Sequence, residues 1–85
     1  MKKFDPYYFD IQKLIEEKYF LGSHQSKAIL GKWQTASEIA HSIEIQKITQ
    51  VETRIISDIF RLAYKGKSQR IKRTSRGVLF YTKSM

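Results

Sequence analysis

Two groups of polar side chains in this 85-residue chain could do chemistry. Gln50, Thr53, Arg54, Ser57 and Arg61 recur every three or four residues, the spacing that gathers side chains on one helix face. Amides, hydroxyls and guanidinium groups displayed together match the donors and acceptors of base edges in a DNA major groove. A guanidinium can bond guanine O6 and N7 at once, which suits Arg54, and a glutamine amide can make the matching pair of bonds to adenine, which suits Gln50. Lys67, Arg70, Lys72, Arg73 and Arg76 form the second group, a run of cations suited to phosphate.

Other chemistry is excluded by residue type. The absence of cysteine removes disulfides, thiolate zinc sites and cysteine nucleophiles. His24 and His41 have no second ligand at metal-binding spacing and read as surface or packing histidines. There is no Gly-rich phosphate loop and no serine in a nucleophile setting. The expectation is a protein that is no enzyme and uses neither metal nor cofactor. No apolar run approaches the ~20 residues of a membrane span, and no signal-peptide core follows Lys2-Lys3, so a cytoplasmic protein with no membrane partner is expected.

The net charge of +8 is unevenly placed. Residues 61–85 hold eight Lys/Arg and no acid, which accounts for the whole excess. A one-sided basic segment points to a polyanion; the plainer reading is a solvated strand surface that resists aggregation. An apolar fraction of 41% with eleven aromatic residues implies one folded domain spanning residues 1–85.

The elements that must position these groups are legible in order. Asp5-Pro6 is an N-cap followed by proline at the first helical position, opening a helix expected over about 6–21 with Gly22 as its stop. Its core face is Tyr7, Tyr8, Ile11, Leu14, Ile15 and Leu21. Phe9 and Phe20 fall opposite. Together with Phe4 they offer either a homodimer or partner contact through the N-terminal helix, or a surface covered by the chain's own next segment. Residues 23–26 read as a loop, and Lys27 to Leu30 as a helical turn closed by Gly31.

Lys32-Trp33-Gln34 is a short extended piece with Trp33 turned inward. Thr35-Ala36-Ser37-Glu38 spells a capping box, in which each side chain satisfies the other residue's free backbone N–H. It opens a short helix with Ala36, Ile39, Ala40 and Ile43 on its apolar stripe. Ser37 could bind phosphate there through its hydroxyl and the helix N-terminal N–H groups. After a link over Glu44–Ile48, a second box, Thr49-x-x-Glu52, opens the longest helix, expected to run to Lys65 and stop at Gly66. Its apolar half is Val51, Ile55, Ile56, Ile59, Phe60, Leu62 and Ala63, and its wet half holds the first polar group with Asp58 and Tyr64. Asp58 either pairs with Arg54 or, if it points into a groove, favours a cytosine amino group. Beyond Gly66 the period becomes that of strands. Residues 68–82 read as a hairpin with a Ser75-Arg76-Gly77 connection, its Val78, Phe80 and Ile71 facing the helices.

Helix, short strand, two helices separated by a turn (about 35–65) and a two-stranded hairpin (about 68–82) resemble the winged helix-turn-helix fold. The residues that carry the likeness are Trp33-Gln34-Thr35-Ala36-Ser37-Glu38-Ile39-Ala40, Ile59, Leu62, Gly66, Ile71 and Arg76-Gly77-Val78-Leu79-Phe80-Tyr81, within residues 7–82. The chain is also loosely similar to the small bacterial regulators of fimbrial operons, single winged-helix domains with an Arg-Gly wing. The resemblance implies an α+β, mainly helical domain of three core helices plus a β-hairpin wing. It implies a transcriptional regulator that reads double-stranded DNA. The third helix (Gln50, Thr53, Arg54, Ser57, Arg61) would enter the major groove. The wing (Lys72, Arg73, Arg76, with Lys67 and Arg70) would lie on backbone or minor groove. Two alternatives remain open: a winged-helix module that binds polymerase or another regulator, and an RNA or nonspecific nucleic-acid binder stacking bases on Phe80 and Tyr81.

Overall fold

A computed structural model describes residues 6–19, 21, 31–66 and 68–84. It is α+β, with helices α1 (Pro6–Lys18), α2 (Ala36–Ser42) and α3 (Gln50–Ala63). Strands β1 (Lys32–Thr35), β2 (Ile71–Thr74) and β3 (Gly77–Thr82) form an antiparallel sheet of order β1-β3-β2. Among the described residues no helix is long and apolar enough to cross a membrane. Phe4, Phe20, His24, Lys67 and the turn expected over Lys27–Leu30 lie outside the described residues.

Both capping boxes form. At α2, Glu38 N–H donates to Thr35 Oγ1 at 3.1 Å and Thr35 N–H to Glu38 Oε1 at 2.8 Å. At α3, Thr49 N–H donates to Glu52 Oε1 at 2.6 Å, and Val51 N–H to Thr49 Oγ1 at 3.1 Å. The end of α2 has no glycine, and Glu44 takes the left-handed conformation instead, at φ 62°. Glu44 N–H then reaches His41 C=O at 3.1 Å and Ile45 N–H reaches Ala40 C=O at 3.3 Å, the paired bonds of a Schellman ending.

The core is one cluster. Ile11, Ile15 and Tyr19 meet Ile39 and Ala40 of α2, Ile56, Ile59 and Phe60 of α3, and Phe80 of β3. Phe60 is its hinge, with ring centroids 5.5 Å from Phe80, 5.6 Å from Tyr64 and 6.3 Å from Tyr19. Beneath it runs a buried polar chain. The Tyr19 hydroxyl bonds the Ser42 hydroxyl and donates to Gln34 Oε1 at 3.2 Å, while Thr82 Oγ1 lies 2.7 Å from Gln34 Oε1 and 3.0 Å from Lys32 C=O. Every buried side-chain polar atom among the described residues has a partner, so this chain costs little for its burial.

Several expectations need correction. The first helix ends at Lys18, not Leu21. Tyr19 turns into the core and pairs as an isolated bridge with Ser84. Trp33 does not face inward. Register sets Gln34 opposite Phe80 and Trp33 opposite Tyr81, and side chains alternate, so Gln34 is buried while Trp33 packs on Tyr81 across the outer face at 5.2 Å. Leu14 and Tyr7 lie at the edge of α1's buried face and are partly exposed. Ser68–Arg70 is a 3-10 turn rather than strand, and the hairpin turn is Ser75–Arg76, followed by Gly77 at φ 110°. As expected, Phe80 is buried, and Val78 and Ile71 pack on the core.

Candidate nucleic-acid interface

α3 is held by its two ends. At its start the Glu52 carboxylate, buried at N3, also accepts the Tyr7 hydroxyl of α1 at 2.7 Å. Hydroxyl bonds from Thr49 and then Tyr7 hold this carboxyl down at about 2, and the same bond raises the Tyr7 phenol above its ordinary value. At its end Tyr64 is buried against Phe60 and donates to Tyr81 C=O at 2.6 Å, locking the last turn to β3. Burial raises the Tyr64 phenol. Tyr64 was expected on the wet half; the hairpin closes over it instead.

These anchors set which face of α3 stays in water. The exposed positions are Gln50, Val51, Arg54, Asp58, Arg61 and Leu62, an arc of about 120° at 100° per residue, and Lys65 is exposed in the turn just beyond it. Gln50, Arg54 and Arg61 lie on it as expected. Thr53 and Ser57 are only half-buried margin residues. The Thr53 hydroxyl is occupied by its own helix, donating to the carbonyls of Gln50 at 3.2 Å and Thr49 at 3.3 Å. Val51 and Leu62, expected inside, are 56% and 68% exposed because α1 and α2 cover a narrower stripe of α3 than its full apolar half. No ion pair between Arg54 and Asp58 is present among the described residues.

The cations of the hairpin differ in what holds them. Arg70 lies over the Tyr64 ring at 5.6 Å and Lys72 Nζ over the Trp33 ring at 4.8 Å. Arg76 at the hairpin turn reaches Glu38 Oε2 at 3.6 Å, because Thr35 pairs with Leu79 and brings the start of α2 beside the turn. Bonding to Thr35 N–H, and then the nearby Arg76 charge, lowers the Glu38 carboxyl below its ordinary value. Ser37 is exposed beside Glu38, and its carbonyl accepts from His41 Nδ1 at 2.9 Å, which fixes the proton on that nitrogen.

Arg73 projects from the helix-facing side of β2. With Ile71, Val78 and Arg61 it lines an open cleft of about 320 Å³ between α3 and the hairpin. The structure therefore joins the two polar groups of the sequence at one place, Arg61 beside Arg73. No protein-family model, curated protein or solved structure matches this chain.

α3 ends at Ala63 and not at Lys65 as expected. Lys65 is exposed in the turn that follows and adds a cation beyond Arg61 that the sequence reading did not assign to the site, although its i+4 spacing from Arg61 was a signal available to find it. Nothing in the sequence marked Glu38 as the partner of Arg76, since the two meet only through strand register. Phe80 is fully buried and cannot stack a base; Tyr81 is half-buried on the outer face of the sheet.

Proposed function

We propose that the protein is a DNA-binding transcriptional regulator of winged helix-turn-helix type. It lays α3 in the major groove of a duplex and the β2–β3 hairpin, its wing, along the neighbouring backbone or minor groove. The observation that carries the reading is the cationic and amide edge of α3 (Gln50, Arg54, Arg61, with Lys65 in the turn after it), which runs into a cleft shared with Arg73 of the hairpin. Element order supports the same arrangement: helix, strand, helix, helix, then two strands, with β1 paired to the outer edge of β3. The net charge of +8 supplies long-range attraction to a polyanion.

On this reading Arg54 and Gln50 carry base recognition, and Asp58 discriminates by rejecting a phosphate and accepting a cytosine amino group. If about five phosphates are neutralised, log affinity falls with log salt at a slope of roughly −4 to −5. Fluorescence anisotropy on a labelled random-sequence duplex across a salt series measures this. Absence of duplex binding at about 50 mM salt sinks the reading.

A second reading is favoured by Phe9, which is 48% exposed and rests edge-on against Tyr8 at 5.7 Å. It makes α1 a contact for a second copy of the chain or for a protein partner. Sedimentation of the wild type as a monomer at high concentration, with no change on Phe9→Ser, removes the homodimer.

A further inference from the structure

We propose that the cleft between α3 and the β2–β3 hairpin grips one backbone phosphodiester of the bound duplex, with Arg61 and Arg73 as its two donors. This rests on the duplex-binding reading above and deepens it, because it moves Arg61 from base recognition to backbone positioning. Arg61 and Arg73 line the same cleft of about 320 Å³, over a floor of Ile71 and Val78.

The neighbouring cations show why this pair stands apart. Arg70 lies over Tyr64, Lys72 over Trp33 and Arg76 against Glu38. Among the described residues neither Arg61 nor Arg73 forms an ion pair. Two guanidinium groups facing one cleft repel each other, and an aliphatic floor lowers the local dielectric and strengthens that repulsion. The same field attracts an anion placed between them. A phosphodiester fits the charge and the geometry: one negative charge, two non-bridging oxygens for two forked donors, and sugar methylenes to lie on Ile71 and Val78. A guanine edge would fit less well, since it would leave the second guanidinium without an acceptor.

The test compares the wild type with Arg61→Ala, Arg73→Ala, the double variant and Arg61→Lys on two duplexes, one of random sequence and one carrying a selected high-affinity site, across a salt series. Each single alanine variant is expected to weaken both duplexes alike, roughly five- to tenfold near 0.1 M salt. The double variant should lose less than the product of the single losses, and its salt slope should fall by about one rather than two. Arg61→Lys should retain more affinity than Arg61→Ala and all of the sequence preference, because an ammonium still serves a phosphate as a point charge though it lacks the fork. All variant sites are exposed, so unchanged thermal melting is the control for folding. Fully multiplicative losses, or a reduced preference for the selected site in Arg61→Ala or Arg61→Lys, overturn the clamp while leaving duplex binding intact. A wild type that binds neither duplex overturns the duplex reading itself and the clamp with it.

Discussion

The Tyr7 hydroxyl donates to Glu52 Oε2 at 2.7 Å, joining the first turn of α1 to the capping carboxylate of α3 across 45 residues of chain. Glu52 thereby does two jobs: it closes the box with Thr49 and it receives the first helix. The two bonds fall on different oxygens, so both form at once.

Acid is the direct probe of that junction. The Glu52 carboxyl lies at about 2 in the fold against an ordinary value of 4.5. A carboxyl whose folded value is depressed adds stability that is present above the unfolded value and is lost as pH falls through the folded one. The melting temperature should therefore fall between about pH 4.5 and pH 2 in the wild type. Glu52→Gln should be less stable at neutral pH and should show a flatter dependence in that window. An identical acid profile for the two proteins would mean that Glu52 is not the linked group.

Glu44 offers a gain. It holds φ 62° with its side chain in solvent, a conformation that costs a residue with Cβ roughly 1–2 kcal/mol and glycine none. Glycine pays back part of that as entropy of the unfolded chain. Glu44→Gly should stabilise the protein by about 0.5–1 kcal/mol, a rise of roughly 3–6 °C in melting temperature.

Gly31 is constrained by space. A Cβ there would lie 2.6 Å from Tyr81 Cε2 and Cζ and 2.7 Å from the Thr82 carbonyl oxygen. The Tyr81 hydroxyl also accepts Gly31 N–H at 3.1 Å, so the ring cannot move away without losing a bond. Gly31→Ala should cost about 1–3 kcal/mol in urea denaturation. Trp33, 5.2 Å from Tyr81, should report the change in its fluorescence.

How much of this was legible follows from how local each determinant is. Both capping boxes, the left-handed Gly66 and the alternation of Ile71, Val78 and Phe80 are written within a few residues, and the structure has them. The inward turn of Gln34 in place of Trp33 was not legible. A tryptophan beside a glutamine favours the apolar side chain inside by composition, and only strand register, with Tyr19 and Thr82 ready to bond the amide, reverses it. The same holds for the exposed arc of α3. Its centre depends on how far α1, α2 and the hairpin wrap around the helix, which buries Tyr64 and leaves Leu62 outside. Left-handed Glu44 had no glycine to announce it.

On the duplex-binding reading, Arg54 is the residue at which base recognition can be tested apart from charge. It is exposed on α3, with no ion pair among the described residues. Arg54→Ala should cost about 1–3 kcal/mol on a selected site and relax preference at one base position. On random duplex the same change should cost much less. Competition between selected and scrambled duplexes checks this, and equal losses on both would make Arg54 a backbone contact.

Glu38 places capping and binding in opposition, and one substitution can divide them. Its Oε1 closes the α2 box while its Oε2 holds Arg76 at 3.6 Å. Both side chains are well exposed, so the pair itself adds little to stability. Glutamine at N3 can still bond the Thr35 N–H, so Glu38→Gln keeps the box while removing the charge. On the duplex-binding reading Arg76 is then free for a phosphate, and one repulsive charge leaves the proposed interface. Duplex affinity at low salt should rise by roughly two- to tenfold, and the salt slope should steepen by up to about one. Glu38→Gln combined with Arg76→Ala should return to or below the wild-type value. A gain that survives the loss of Arg76 would assign the whole effect to removal of the acid. No gain in Glu38→Gln would place the hairpin turn away from the phosphates, leaving Arg73, beside Arg61 of α3, to carry the hairpin's contact on the duplex-binding reading.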